Sequence, residues 1–413
     1  MTEVSRRQLL AWTGSAGATG LVAGLAGGFA AERGDPFGIE HPDDDRLRPY
    51  DQVVDEHAVP HGLDKSVPAF GQVLSFKLKA TGRSTPARAR AASIKALTAL
   101  AAQIGRVVDE QEKAPAAAAA LGTRPANLQL TPGIGATLLT ACGLEDQRPE
   151  ALIDLPDFAT DRLDPALCGG DLLVQVGADD PMRLAGAVQE VRSTLAADWD
   201  VAWSRSGFRI TSAGADDPKA TVRNLMGHRD GTANSAPGSP LWNSTVITNE
   251  PGWMQGGSYL VARQILIDLD RWFGHDESAR DDVIGRNTVT GVALGGKSEH
   301  ETVDLGARTS SGQLAVPPHA HIRLAGTRST LGARIYRRGW NFDDGDTAAG
   351  RRAGLMFLAW QADIEQGFLP IQKSLVAGHD SLNDFTTHIG SAVFAVPAMG
   401  EDDYVGQRLF EKA

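Results

Sequence analysis

Alternating and helical patterns of hydrophobic residues divide the first half of the chain into six elements. A strand alternates apolar and polar positions, as at 72–79, and a helix spaces apolar positions three or four residues apart, as at 86–108. In chain order the patterns predict a strand at 72–79, a helix at 86–108, strands at 127–131 and 171–176, a helix from Pro181 to about Ala197, and a strand at 199–210. This order of elements is that of a ferredoxin-like unit.

The second half shows a similar but less regular succession of patterns. It predicts a strand at 257–267, a short helix at 268–273, strand-like segments at 320–325 and 333–339, an apolar stretch at 354–367 that fits a strand, a helix at 368–376 and a closing strand at 393–396. No sequence repeat relates the two halves. We therefore predict an α+β fold of two ferredoxin-like domains, at 67–215 and 216–413, with antiparallel sheets and peripheral helices.

Composition narrows the classes of function. The chain has 413 residues, of which 42% are hydrophobic and 22% charged, a balance typical of globular proteins. The formal charge is 40 − 51 = −11, and such a surface repels phosphate backbones, so no nucleic-acid partner is expected. Cys142 and Cys168 are the two cysteines, too few for a disulfide scaffold or a cysteine-rich metal site.

The N-terminus carries an export pattern. Arg6 and Arg7 precede an uncharged run, 9–31, which is typical of a twin-arginine signal peptide at 1–31. A membrane anchor is the alternative, since about 20 apolar residues span a bilayer. Six glycines between Gly14 and Gly28 disfavour a membrane helix. We therefore expect export by the twin-arginine translocase to the cell envelope or the extracellular space, with 32–66 as a polar linker or wrapping arm.

Four segments of the second half carry candidate chemistry. In 227–234 small residues surround Asp230, so a planar ligand could approach the backbone closely, although Asp-Gly is also an ordinary turn. His319 and His321 would share one face of a strand, where either could bind a metal or both could face solvent. The segment 334–342 joins three arginines to aromatic residues, which fits a solvated edge strand or an anionic partner. Asp384 precedes the last strand, where a capping role is the simplest interpretation.

Together these segments resemble the dye-decolourising peroxidase family in motif and in order. The resemblance rests on the Gly-x-x-Asp-Gly motif at 227–231, on 256–263, on Ala-His-Ile-Arg at 320–323, on the segment around Arg337, on Gly-Ser-Ala-Val-Phe-Ala-Val-Pro at 390–397, and on Cys-Gly-Gly-Asp at 168–171. It covers roughly residues 70–400. The export pattern indicates the twin-arginine-exported branch, which includes deferrochelatase-type peroxidases.

The resemblance implies a dimeric α+β barrel type of fold and one haem b in the C-terminal domain. His321 would be the iron ligand, and Asp230 and Arg337 would lie on the opposite, peroxide-binding side. The remaining positions that the resemblance assigns to the haem pocket are Gly231, Thr232, Ala233, Arg286, Gly326, Thr327, Arg328 and Asp384, the last as partner of the second His321 nitrogen. Gly326 and Thr327 stand where exported relatives often carry Asn-Pro.

The function implied is reduction of hydrogen peroxide coupled to oxidation of a phenolic, dye-like or other organic or metal-ion reductant. Asp230 could move a proton between the two peroxide oxygens, and Arg337 could stabilise charge on the departing oxygen. A carboxylate in this role predicts activity at mildly acidic pH. Tyr336, Trp340, Trp360 and Tyr404 are candidate electron relays.

Two other functions stay open at this point. The first is a haem-binding, iron-releasing protein of the deferrochelatase kind. The second is a non-haem protein in which His319 and His321 hold copper. The resemblance is also compatible with a homo-oligomer.

Overall fold

The computed structural model describes residues 59–113, 126–210, 221–348, 350–399 and 404–411. The predicted signal peptide and positions 32–58 of the predicted arm lie outside these ranges. The strands are β1 (Phe70–Leu78), β2 (Gln129–Ile134), β3 (Leu172–Ala178), β4 (Trp199–Phe208), β5 (Ser258–Ile267), β6 (Tyr336–Arg337), β7 (Trp340–Thr347), β8 (Gly350–Gln361) and β9 (Thr386–Val396). The helices are α1 (Pro86–Lys113), α2 (Ala136–Cys142), α3 (Pro181–Leu195), α4 (Pro240–Val246), α5 (Leu269–Phe273), α6 (Glu277–Ile284), α7 (His321–Leu324), α8 (Phe368–Ala377) and α9 (Gln407–Glu411).

The first half forms the predicted ferredoxin-like unit. Its four strands lie in the order β2-β3-β1-β4, and all of their pairings are antiparallel. Every residue of β3 is buried, as its almost continuous apolar sequence requires. Helix α3 begins where the sequence indicates, because Pro181 occupies its first turn and the Asp180 side chain accepts the Arg183 amide.

The second half repeats this strand order as β9-β5-β8-β7, with β6 added at the edge of β8. Three predictions for this half are wrong. The segment 320–325 forms helix α7 rather than a strand, and of 333–339 only Tyr336–Arg337 is strand. The apolar stretch 354–367 overlaps β8, which begins four residues earlier and ends at Gln361. Strand β7 was not predicted, because its second part is polar and exposed. Six residues are too few to separate strand from helical periodicity in Ala-His-Ile-Arg-Leu-Ala.

The two sheets close into one antiparallel barrel. A single residue pair joins them on each side, Ile134 with Ala395 and Phe208 with Asn341, and the pairing of β5 with β8 completes the ring. Alternate residues of the strands form two cores, since Leu74 and Val174 pack with the helices whereas Val73 and Leu173 pack with residues of the other sheet. Helices α1, α2, α3 and α8 therefore cover the outside of the ring, whereas Trp242 and Val246 of α4 pack with the inner core.

A tryptophan and three glycines fit together where the halves meet. Gly71 lies opposite Gly177 on β3 and opposite Gly207 on β4, so the three form a row across the first sheet. The Trp340 indole lies on this row, is 1% exposed, and donates its N–H to the Pro68 carbonyl at 2.9 Å. A Cβ atom at Gly71 would lie 2.3 Å from the indole. A larger residue therefore cannot be accommodated there without displacing the tryptophan.

The described end of the predicted arm packs against the barrel. Leu63 is 1% exposed and belongs to the barrel core. The fully buried Arg338 guanidinium donates to the carbonyls of Leu63 and Lys65 and to the Gln129 side chain, at 2.8 Å for the last. Positions 59–66 are thus held as an arm rather than extended as a free linker.

We expect Gly71→Ala to lower the free energy of unfolding by about 1–3 kcal/mol, because the new methyl group overpacks the Trp340 contact. Gly105→Ala is the matched control, since a Cβ atom there meets nothing within 4 Å, and alanine should stabilise α1 by up to about 1 kcal/mol. Urea unfolding followed by tryptophan fluorescence measures both. Equal midpoints for the two variants would contradict the fit described.

Candidate active site

Asp230 is presented by a short hairpin. Arg223 and Arg229 form an antiparallel bridge, and the Asp230 amide donates to the Val222 carbonyl at 2.9 Å. Gly227 and Gly231 have φ angles of +83° and +112°, which favour glycine. The segment is therefore a turn, as one of the two sequence interpretations proposed, and it places Asp230 on the wall of a cavity.

Asp230 and Arg337 form an ion pair. Asp230 Oδ1 lies 3.0 Å from Arg337 Nη1, and the side chains are 29% and 28% exposed. Strand β6 supplies Arg337 through its pairing with Ala359 of β8. Asn234 fixes the backbone of this arginine, because its amide donates to the Arg337 carbonyl at 2.8 Å and accepts from the Arg337 N–H at 3.1 Å. Asn234 ends the motif at 227–234 but was not predicted as a site residue.

His321, the first residue of α7, is oriented by a buried carboxylate. Its Nδ1 lies 2.7 Å from Asp380 Oδ2, and the Asp380 side chain is 2% exposed. An ionised carboxylate only accepts, so Nδ1 carries the proton and Nε2 stays available as a ligand atom. Burial alone would lower the pKa of His321, but the charge and hydrogen bond of Asp380 outweigh it and raise the pKa above its ordinary value.

The prediction that Asp384 binds the second nitrogen of His321 is wrong. Asp380 occupies that position, four residues earlier, and caps the 3₁₀ helix Ser381–Asp384 through the Leu382 amide. Asp384 contributes its main-chain carbonyl to Arg271 at 2.6 Å. The two aspartates lie at opposite ends of one short helical turn, so only the one at its start is directed toward α7.

The two histidines do not form a shared metal site. His319 is exposed, and its Nδ1 lies 2.7 Å from the Gly378 carbonyl, whereas His321 contacts Asp380. Within the described ranges no group of three or more histidine, cysteine, aspartate or glutamate side chains could hold a metal. A metal bound through His321 therefore needs donors from a non-protein ligand, which a porphyrin supplies. The copper alternative has no such support.

Glu299 anchors the Asp230 loop and was missed by the sequence analysis. It pairs with Arg229, and its Oε1 accepts the Thr232 hydroxyl at 3.1 Å, so it holds residues on both sides of Asp230. Burial alone would raise the pKa of Glu299, but hydrogen bonds from Thr221 and Thr232 and the Arg229 charge lower it. Glu299 lies in a polar loop without a recognisable motif, so no sequence signal distinguished it.

The other residues predicted for the haem pocket differ in their contacts and in their exposure. Arg286 donates to the Gly291 and Glu299 carbonyls at 2.7 and 2.9 Å, and burial lowers its pKa. The turn after α7 contains Gly326 and Thr327, whose carbonyls accept from Ser329 and Gly332. Ala233 and Arg328 are exposed, and within the described ranges the Arg328 side chain forms no hydrogen bond or ion pair.

The predicted electron relays differ in position. Trp340 and Trp360 are 1% and 0% exposed and belong to the barrel core. Tyr336 borders the Asp230 cavity, and its ring meets Trp242 edge-on at 5.9 Å between centroids. Tyr404 is half-buried near the C-terminus. Of the four, only Tyr336 lines the cavity.

A cavity of about 360 Å³ opens beside Asp230 and Arg337. Leu355 and Phe357 of β8 line it from the outer face of the sheet, since the intervening Met356 belongs to the barrel core. Val67 and Arg209 line it from the first half of the chain. The Asp230–Arg337 ion pair therefore borders a cavity whose lining comes from both halves of the chain.

The fold and the site together define the class of protein. One imidazole is oriented by a buried carboxylate with its second nitrogen free, and the charges of Arg337 and Asp230 lie close enough to influence its pKa. This donor set fits a haem iron, which needs one strong axial ligand and an opposite side equipped for peroxide. The arrangement is that of a haem-dependent peroxidase.

Comparison with known proteins gives the family. Models of the Dyp-type peroxidase N-terminal and C-terminal domains match residues 68–209 and 221–401. The chain is 44% identical to the dye-decolorizing peroxidase of Thermobifida fusca over 98% of this chain and 97% of that protein. It is 32% identical to the deferrochelatase of Escherichia coli K12 over 69% of each. The chain belongs to the Dyp-type peroxidase family and is a haem-dependent peroxidase.

Solved structures agree with this assignment. The oxyferrous complex of DtpA from Streptomyces lividans is 36% identical, with a TM-score of 0.76 over 84% of this chain and 94% of that one. A DyP-type peroxidase from Streptomyces coelicolor is also 36% identical, with a TM-score of 0.76 over 85% and 95%. The α+β prediction is confirmed by these similarities and by the closed antiparallel sheet.

We expect Asp380→Asn to weaken haem binding by about 10- to 100-fold, because the carboxylate that orients His321 is lost. Asparagine can still cap the following 3₁₀ helix, so the fold is retained. Asp384→Asn is the control and should bind haem as the wild type does, since its contact is a main-chain one. Haem titration of the apoprotein, followed by absorption, measures both. A larger loss for Asp384→Asn would restore the original prediction.

Proposed function

We propose that the chain is a haem b peroxidase in which His321 binds the iron and Asp230 and Arg337 act on hydrogen peroxide. The carrying observation is the Asp230–Arg337 ion pair, at 3.0 Å on the wall of a cavity, together with the imidazole that Asp380 orients. The reductants would be phenolic, dye-like or other organic molecules, or metal ions. Bound haem would supply the iron at which the peroxide O–O bond is cleaved.

Asp230 provides the proton transfer. In its ionised form the carboxylate accepts a proton from one peroxide oxygen and returns it to the other, which then leaves as water. Arg337 keeps this carboxylate paired and adds positive charge where negative charge develops on the leaving oxygen. Glu299 holds the loop so that the carboxylate stays within reach of the cavity.

His321, oriented by Asp380, would hold the haem iron. The hydrogen bond from Nδ1 to the carboxylate gives the imidazole partial anionic character, which makes Nε2 a stronger donor to iron. The same bond fixes the ring orientation and the tautomer. The two carboxylates therefore have different purposes, since Asp380 orients the residue that would hold the iron and Asp230 moves the proton.

The cavity limits what can reach the centre. A space of about 360 Å³ lies at the small end of ligand sites, which typically measure roughly 300–1,000 Å³. Larger dyes would be oxidised from outside, with Tyr336 and the adjacent Trp242 as a candidate electron path.

A second candidate function is iron release from haem. It is favoured by the 32% identity to proteins named deferrochelatase. The 44% identity to a dye-decolorizing peroxidase along nearly the whole chain supports the peroxidase function more strongly.

Export before function is part of the same proposal. Arg6, Arg7 and the uncharged run 9–31 fit a twin-arginine signal, and that route carries folded proteins. Haem could therefore be inserted in the cytoplasm, with the finished enzyme acting in the cell envelope or outside the cell.

We expect Arg337→Ala to slow the reaction with hydrogen peroxide by about 10³-fold and Asp230→Ala by about 10²-fold, if charge stabilisation controls the step. Asn234 holds the backbone at position 337, so the alanine variant loses the guanidinium alone. Exposed Arg334→Ala is the control for losing a positive charge. Stopped-flow absorption measures the rates, and the reverse order would reject this ranking.

We expect replacement of Arg6 and Arg7 by lysine to abolish export, because the twin-arginine pair is the recognition signal. Arg33→Lys, beyond the uncharged run, is the control and should be exported normally. Peroxidase activity and immunoblots of cytoplasmic and exported fractions measure the distribution. Unchanged export of the double variant would exclude this route.

A further inference from the structure

The cavity beside Asp230 carries an excess of positive charge in an acidic protein. Three arginines line it, Arg209, Arg223 and Arg337, against one carboxylate, that of Asp230. The whole chain has a formal charge of −11, so this local surplus does not follow from composition. It indicates that the cavity is built to receive an anion.

Two of these arginines are already engaged. Arg337 pairs with Asp230 at 3.0 Å. Arg223 donates to the carbonyls of Gly227 and Val289, each at 2.7 Å, and also to that of Thr288. Their guanidinium groups therefore hold the walls of the cavity together and have little capacity left for a ligand.

Arg209 differs from both. It follows the end of β4, directly after the Phe208–Asn341 pair that joins the sheets, and its amide donates to the Ala69 carbonyl at 2.8 Å. Its side chain is half-buried and, across the described ranges, forms no hydrogen bond or ion pair. Burial lowers the pKa of Arg209, and the nearby charge of Asp230 offsets only part of this effect.

The remaining lining indicates what the anion is attached to. Phe357, Leu355, Tyr336 and Val67 supply aromatic and aliphatic surface to the same cavity. The planar guanidinium matches a carboxylate through two parallel N–H···O bonds. A small aromatic ring bearing a carboxylate would satisfy both kinds of surface, and the volume of about 360 Å³ accepts a molecule of that size.

We propose that Arg209 forms an anion subsite that binds the carboxylate of a small aromatic reductant beside Asp230 and Arg337. This inference rests on the proposed function, since it takes the cavity to be the peroxide side of the enzyme. Arg209 binds and positions the reductant and takes no part in proton transfer. The N-terminal half of the chain thereby contributes to selecting the substrate of the C-terminal half.

The test compares benzoate with its neutral analogue benzamide by isothermal titration calorimetry, on haem-loaded and haem-free protein. In Arg209→Gln, benzoate should bind about tenfold more weakly, the value of one charge-assisted contact, while benzamide binding stays unchanged. The benzoate affinity of Arg209→Lys should lie between those of wild type and Arg209→Gln. Lysine keeps the positive charge but lacks the planar guanidinium that makes two parallel hydrogen bonds. Arg334→Gln, which is exposed, controls for general loss of charge.

Steady-state kinetics give a second readout. With 4-hydroxybenzoate as reductant, Arg209→Gln should raise KM about tenfold and leave kcat unchanged, whereas 4-hydroxybenzyl alcohol should show neither change. Equal benzoate affinity in wild type and Arg209→Gln would overturn the proposal.

Haem titration separates the remaining outcomes. If Arg209→Gln binds haem more weakly than wild type does, and both bind benzoate equally well, the guanidinium binds a haem carboxylate and the proposal is overturned. If wild type takes up no haem, the proposed function fails, but benzoate binding to the haem-free protein still decides whether Arg209 holds an anion.

Discussion

The contact of Trp340 with the glycine row of the first sheet is the constraint on which the site depends. Consecutive residues around it perform separate tasks: Arg337 faces the cavity, Arg338 holds the arm, and Asn341 pairs with Phe208 across the junction. The Trp340 side chain requires glycine at 71 and 207, because a Cβ atom at 71 would lie 2.3 Å from its indole ring and one at 207 would lie 2.5 Å from its Cβ atom. The Trp340 contact thus lies beside the Phe208–Asn341 pair that joins the sheets and three residues after Arg337, so packing, closure and the cavity share one segment.

Three carboxylates fix the positions of the residues in the candidate site. Asp380 orients His321, and Asp230 pairs with Arg337. Glu299 pairs with Arg229 and thereby holds the loop that carries Asp230. All three lie in or beside segments without long regular structure, where side-chain hydrogen bonds replace the backbone ladders that hold the barrel. The barrel provides the framework, and the contacts of these three carboxylates fix the positions of the site residues on it.

The residues that the motifs named are mostly those that the structure brings together. Asp230, Arg337 and His321 were predicted, and the first two form a direct ion pair. The resemblance indicated Asp384, and only the capping geometry shows that Asp380, four residues earlier, is the carboxylate on His321. Glu299 and Asn234 were missed because their partners are distant in sequence or are backbone atoms.

By itself the sequence determined the two α+β halves, the strand and helix order of the first half, and the motifs that contain Asp230, His321 and Arg337. These are properties of local periodicity and of short motifs, which depend on neighbouring residues alone. Only the tertiary structure decided that the sheets close through single pairs, that 320–325 is helical, and that Asp380 serves His321. Such choices depend on packing between residues far apart in the chain, and the energies of alternative local conformations there are too similar for periodicity to separate them.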